Sequence, residues 1–220
     1  MPFRIAFVKR PPDHGLFVVL EGIDGAGKST QARWLSESLA VAHIPHVISR
    51  EPTDGPHGRR LRESATQGRL DPAEELATFL ADRREHLSQL ILPSLAEGKI
   101  VVLDRYYFST AAYQGARGFD WREIVRQNEV FAPEPDLLLW FELPPEISQE
   151  RIRVRGDHAN AFEQLGTLRA VAEIYAQLAI GRRYVQPLDS RRSPEALRNE
   201  VWSAVLSAAE DAGRTFKAGP

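Results

Sequence analysis

Eight consecutive residues have the types and the spacing to hold a phosphate chain. Gly22-Ile23-Asp24-Gly25-Ala26-Gly27-Lys28-Ser29 fits G-x-x-x-x-G-K-[ST], and the segment lies between an apolar run and residues able to open a helix. Glycines let the backbone curl until several N–H groups face one anion, and the following helix adds the positive end of its dipole. Lys28 is spaced to reach β and γ phosphates, and Ser29 to ligate Mg²⁺. Lys28 is one of only four lysines, with Lys9, Lys99 and Lys217, so it is not drawn from a generally Lys-rich surface. The motif predicts nucleotide binding and leaves the reaction open.

Other features narrow the choice. A GTPase needs N-K-x-D to read guanine, yet Asn128, Asn160 and Asn199 are each followed by Glu or Ala. The elements of a motor ATPase are not found either. A small kinase instead needs a second pocket, for a phosphate acceptor. Asp104-Arg105-Tyr106 closes an apolar run. A carboxylate in that position suits Mg²⁺ or its water shell, and the neighbouring guanidinium can clamp phosphate bidentately; a surface Asp-Arg pair would look the same. If the next residues are helical, Arg105, Ser109 and Tyr113 share one face at i, i+4 spacing. A cation, a hydroxyl and an aromatic ring on one face suit a nucleotide better than a core.

The bulk figures exclude several classes. A net charge of −2 over 220 residues argues against a nucleic-acid binder that works by neutralising phosphates. With no cysteine, disulfides and thiolate metal sites are ruled out, and the scattered histidines lack metal-ligand spacing. No apolar run reaches the roughly 18 residues of a membrane span, and the first residues do not read as a signal peptide. The expected compartment is the cytoplasm.

The elements that must position these residues alternate. Leu16 to Glu21, His46 to Ser49, Lys99 to Asp104, Asp136 to Leu143 and Tyr184 to Asp189 read as strands. Helices are expected at Lys28 to Ala40, Asp71 to about Glu97 with a kink at Pro93, Phe108 to Gln114 and Asp120 to Val130. Three more are expected at Pro145 to Arg155, Phe162 to Ile180 and Ser193 to Glu210. Residues 51–58 read as a Gly/Pro-rich loop. The fold class is α/β, a three-layer α/β/α sandwich around a parallel five-stranded sheet. A single P-loop kinase domain is expected over 16–212, with a lid at about 151–163, an extension at 1–15 and a tail at 213–220. Whether the extension is a disordered arm or packs on the domain stays open.

DRYYFSTAAYQG together with EGIDGAGKST resembles the thymidylate kinases, which phosphorylate dTMP. The resemblance runs through nearly the whole chain after Gly15. It implies ATP bound by Gly22, Ile23, Asp24, Gly25, Ala26, Gly27, Lys28, Ser29 and Thr30, with Ser29 and Asp104 around Mg²⁺. Arg50-Glu51-Pro52 matches a turn whose Arg meets the acceptor phosphate. Phe79-Leu80-Ala81-Asp82-Arg83 matches a segment where an aromatic stacks on thymine and an Arg reaches a base carbonyl. Taken alone, Phe79 reads first as a core aromatic, and Arg83 could be a solvated partner of Glu75 or Asp82. Asp24 matches a carboxylate near the sugar 3′-hydroxyl. Ser109 and Gln114 would read the base edge, and Tyr113 would lie under the sugar, where bulk excludes a ribose 2′-hydroxyl.

Some relatives place an Arg inside the cradle. Here Gly25 and Ala26 stand there, so positive charge must come from the lid arginines Arg151 and Arg155, with Arg153 pointing away. The stretch Asn160-Ala161-Phe162-Glu163 departs from the acid–Arg pair usual in the family. The implied catalytic set is Lys28, Arg105, Arg151 and Arg155, the partners are dTMP and ATP, and the assembly is a homodimer. Two rivals remain: a kinase for another deoxynucleotide or deoxynucleoside, and a nucleotide-binding regulator without turnover.

Overall fold

The computed structural model describes residues 14–154 and 164–213. Among them, five parallel strands form one sheet in the order β2-β3-β1-β4-β5: β1 Phe17–Glu21, β2 His46–Arg50, β3 Ile100–Asp104, β4 Leu137–Glu142 and β5 Val185–Asp189. Every residue of β1 is buried, as are the first four of β3. A central strand with helices over both faces can bury every side chain, which is why β1 and β3 read as unbroken apolar runs rather than alternating ones.

The chain leaves β1, forms α1 (Lys28–Val41) and returns as β2, skipping the place that β3 later fills. β4 then joins the other side of β1. The strand order thus reverses at β1, and loops at its carboxyl end diverge, leaving the crevice where such sheets bind ligands. Register brings Leu20 opposite Asp104, Glu21 opposite Trp140, and Arg50 opposite Asp104. Three chemistry-bearing strand ends therefore lie at one level.

α3 (Pro72–His86) starts as expected: the Asp71 side chain accepts from Ala73 N–H at 3.0 Å, with Pro72 at the first turn. The expected kink at Pro93 takes the form of a π-helical turn, Leu87–Ile91, before α4 (Leu92–Ala96). In a regular α-helix the Pro93 ring would strike the carbonyl four residues earlier, and the widened turn moves that group aside.

One helix was not expected. Residues read as a Gly/Pro-rich loop open α2 (Pro56–Gln67). Pro56 occupies a first-turn position, where no N–H is needed. Gly58 meets a packing demand, since a Cβ there would lie 2.0 Å from the Thr53 carbonyl oxygen. Both residues are breakers by composition and helix residues by context.

The remaining helices are α5 (Tyr107–Gly115), α6 (Trp121–Glu129), α7 (Pro145–Val154), α8 (Leu165–Ala179) and α9 (Pro194–Asp211). Asp120 and Ser193 cap α6 and α9 with their side chains, as the sequence predicts for α9. Among the described residues, no helix is long and apolar enough to cross a membrane. Arg155 and the rest of the lid loop through residue 163 lie outside the described residues, as do 1–13 and 214–220.

Candidate active site

The cradle forms where the sequence placed it, between β1 and α1. Gly22 has φ 143°, and a Cβ on it would come within 2.5 Å of the Phe141 carbonyl oxygen. Only glycine fits both the torsion and the approach of β4. Gly27, in the left-handed region, precedes the first residue of α1. Lys28 Nζ donates to the carbonyls of Gly22 (2.9 Å) and Ile23 (2.8 Å). Burial first, then the positive charge of Arg105, pulls its ammonium pKa down to about 8, against the pull of Asp104, Asp24 and Glu21.

Two cavities open at this edge. One, of about 500 Å³, is lined by the cradle residues Asp24, Gly25, Gly27, Lys28, Ser29 and Thr30, by Arg105, and by Arg151 of α7. The second, of about 200 Å³, runs between α3 and α5, with Phe79, Arg83, Ser109, Tyr113 and Gln114 among its walls. Asp24 and Arg105 line both.

Arg105 reaches this position by an unusual backbone. The sequence places it on a helix face with Ser109 and Tyr113, yet α5 begins at Tyr107, and Arg105 itself has φ 70°. A non-glycine residue rarely adopts that region, and the strain must be held by its surroundings. They hold it well: Arg105 Nη1 donates to Ser109 Oγ (3.0 Å), Nη2 to Asp24 Oδ1 (2.5 Å), and the guanidinium lies 5.2 Å from the Tyr113 ring centroid. The three residues meet, by a left-handed turn rather than a helical repeat. Tyr113 also donates its hydroxyl to Asp24 Oδ2 (2.8 Å). Burial works to raise the Asp24 pKa, but Arg105, Lys28 and the Tyr113 hydroxyl together hold it below its ordinary value.

Phe79 is half-buried, stands apart from the core cluster and faces the second cavity. Arg83, 1% exposed, pairs with neither Glu75 nor Asp82. Its Nε donates to Glu51 Oε2 (2.9 Å), Nη1 to Asn128 Oδ1 (2.6 Å) and Nη2 to Thr110 Oγ1 (3.0 Å). Gln114 is buried and lines the same cavity. Arg151 donates to the carbonyls of Gly25 (3.1 Å) and Ser190 (2.8 Å), bracing α7 against the cradle. Arg153 turns away to Glu150. The structure does not bring Arg50 to the group: its exposed guanidinium meets Asp54 at 2.9 Å and lines neither cavity.

Sequence reasoning missed two buried carboxylates. Glu21, fully buried, accepts from Tyr106 N–H (2.7 Å), Ser109 N–H (3.1 Å), Ser109 Oγ (2.6 Å) and Tyr175 Oη (2.7 Å). It thereby caps α5 from the end of β1. Burial raises its pKa against these donors and Arg105. Glu51 takes the Arg83 fork and His86. A charged residue ending a fully apolar run was the available signal for Glu21; for Glu51 it was the Arg50-Glu51-Pro52 turn, which was read for its Arg alone.

Whether a divalent cation fits can be judged from Asp104. Its Oδ2 accepts from Ser29 Oγ at 2.5 Å, while Oδ1 is buried without a hydrogen-bond partner among the described residues. A buried carboxylate oxygen left over beside a hydroxyl and a phosphate cradle is a donor set suited to Mg²⁺, which binds through one or two carboxylates plus phosphate oxygens. Among the described residues there is no cluster of three or more His, Cys, Asp or Glu able to hold a metal alone.

A parallel sheet with an anion cradle at its switch point, and a second cavity meeting the first across an acid–Arg pair, defines a P-loop nucleoside monophosphate kinase. A sequence model described as Thymidylate kinase matches residues 20–201. A thymidylate kinase of Xanthomonas campestris pv. campestris (strain B100) is 44% identical over 197 residues, spanning 90% of this chain and 86% of the relative. One from Desulfotalea psychrophila is 42% identical over 189 residues, spanning 85% and 92%. The chain belongs to the thymidylate kinase family.

Proposed function

We propose that this protein transfers the γ-phosphoryl group of ATP to dTMP, giving dTDP and ADP on the route to dTTP. The observation that carries this reading is the meeting of the two cavities at Asp24 and Arg105. A triphosphate in the cradle and a monophosphate in the cavity between α3 and α5 would face each other end to end there.

An oxygen of the dTMP 5′-phosphate attacks the γ-phosphorus in line as the bond to the ADP oxygen breaks. The acceptor is already an anion, so no general base is needed, and catalysis reduces to positioning and charge neutralisation. Lys28, Arg105 and Arg151 supply positive charge around the transferred group, with Arg155 joining them from the lid. Lys28 must exchange its loop carbonyls for phosphate oxygens, and Arg50 must leave Asp54 to meet the acceptor phosphate. Ser29 and Asp104 would hold Mg²⁺, which neutralises charge on the phosphates when bound. Phe79 stacks on the base, Arg83, Ser109 and Gln114 read it, and Asp24 and Tyr113 take the sugar. We assign the protein to the cytoplasm and to a homodimeric assembly without nucleic-acid or membrane partners.

A coupled assay of ADP release over dTMP, dUMP, dGMP and thymidine tests the reading. Turnover with dTMP well above the others is expected. Turnover with thymidine alone would mean a nucleoside kinase, and none with any acceptor a regulator.

A further inference from the structure

Asn128 stands on the inner face of α6 beside Ile124 and Val125 and is fully buried. Asn is a weaker helix former than Ala or Leu, and a buried amide is costly unless its polar atoms find partners. It has two. Nδ2 donates to the Ile124 carbonyl at 2.8 Å, and Oδ1 accepts from Arg83 Nη1 at 2.6 Å. A carbonyl can only accept, and a guanidinium can only donate. The amide therefore has one self-consistent direction, with its oxygen on Arg83. Arg83 is tied in this way to the backbone of α6.

Arg83 lines the acceptor cavity, and Asn128 does not. A guanidinium carries five N–H groups, one on Nε and two on each terminal nitrogen. Nε donates to Glu51 Oε2, while Nη2 donates to Thr110 Oγ1 and lies 2.7 Å from Glu51 Oε2. These acceptors account for Nε and Nη2. Of the two N–H groups on Nη1, Asn128 accepts one among the described residues. The donor left for a ligand is therefore on the nitrogen that Asn128 holds. Glu51 already neutralises the Arg83 charge, so Arg83 offers the cavity a directed hydrogen bond to a neutral carbonyl rather than a charge for phosphate.

We infer that Asn128 is a positioning residue for recognition of the acceptor base: by fixing Arg83 Nη1, it holds the N–H that meets a carbonyl of the pyrimidine. Without the Asn128 oxygen the guanidinium is free to pivot on its Glu51 pair, and that N–H is no longer held in one place. The inference rests on the acceptor cavity being the dTMP site.

The test measures binding of dTMP, of ATP and of the base-free probe 2-deoxyribose 5-phosphate to the full chain and to Asn128→Leu. Calorimetry gives Kd for the two nucleotides, and competition with dTMP gives it for the probe. Leu is close to Asn in size and cannot accept a hydrogen bond. The unaltered protein should bind dTMP at least about a hundredfold more tightly than the base-free phosphate. In Asn128→Leu that ratio should fall at least about tenfold, because dTMP weakens while the probe and ATP do not. The loss should appear in KM for dTMP rather than in kcat, as expected of a contact equally strong in ground and transition states. A ratio unchanged in the variant, or equal weakening of all three ligands, would overturn the inference and leave the acceptor-site reading standing. An unaltered protein that binds dTMP no better than the base-free phosphate would overturn both. Should Asn128→Leu melt below the assay temperature, Asn128→Ser decides by the same ratio, since its hydroxyl can satisfy the Ile124 carbonyl but falls short of Arg83.

Discussion

Arg105 Nη2 donates to Asp24 Oδ1 at 2.5 Å, and these two side chains are shared by the walls of both cavities. An ion pair at that junction can order the site before substrates arrive and exchange partners once phosphates do. Replacing Arg105 by Lys keeps the charge but removes the fork that serves Asp24 and Ser109 together. We expect kcat to fall at least about a hundredfold, with smaller changes in KM for either nucleotide. Steady-state kinetics check this, and an unchanged kcat would take Arg105 out of the chemistry.

Lys28 makes the enzyme's pH dependence predictable in sign. Its pKa falls from the ordinary 10.5 to about 8 in the folded protein. Between those values the unfolded chain holds the extra proton, so stability of the nucleotide-free protein rises with pH through that window. Activity runs the other way: kcat/KM for ATP, which reports the free enzyme, should decline above about pH 8 as the ammonium is lost. Lys28→Ala should abolish turnover while the protein stays folded, and should flatten the stability rise. Melting curves and rate profiles over pH 7 to 10.5 provide the check.

Phe79 and Arg83, one helical turn apart, should respond differently. Phe79 is outside the core, so Phe79→Ala should cost little stability and weaken dTMP about tenfold to a hundredfold by loss of stacking, with ATP hardly affected. Equal losses on both nucleotides would mean a packing role. Arg83→Ala leaves the buried Glu51 carboxylate without its guanidinium, and such a break costs about 3–5 kcal/mol. Denaturant titration separates the two variants.

Gly22→Ala should destabilise by more than about 1 kcal/mol, because the torsion is wrong for an L side chain and the Cβ meets β4 backbone. Turnover should be lost along with it. A variant as stable as the parent would show that the loop moves away from Phe141 at no cost.

Glu21→Ala removes the acceptor of two buried backbone N–H groups at the start of α5. Ser109 N–H keeps the Tyr106 carbonyl at 3.1 Å, but Tyr106 N–H is left orphaned at a cost of about 1–3 kcal/mol, so the urea midpoint should drop. Tyr175→Phe removes one donor only and should cost less than Glu21→Ala. The reverse order would show that Glu21 does not act as the cap.

Much of this was legible because the signals are local. A cradle needs glycine, Lys and Ser at set spacing within one turn, and Asp71-Pro72 marks a helix start by contacts two residues apart. Buried parallel strands announce themselves as apolar runs. The helix α2 was not legible, since Gly58 answers to Thr53 through packing. Nor were the partners of Arg83, because Glu51, Thr110 and Asn128 come from three separate places in the chain.

By itself, then, the order of residues determined that a phosphate cradle follows a buried strand, that helices alternate with strands, and which side chains could serve a nucleotide. Only the tertiary structure decided that Asp24 and Arg105 stand between two cavities, that Arg50 turns to Asp54, and that Glu75 and Arg117 hydrogen-bond the Gln114 amide. Local patterns follow from the torsions and spacing of neighbouring residues. Pairings across dozens of positions arise only when the sheet order, with β3 between β1 and β2, brings distant strand ends and helices to one edge, where buried charges must find partners.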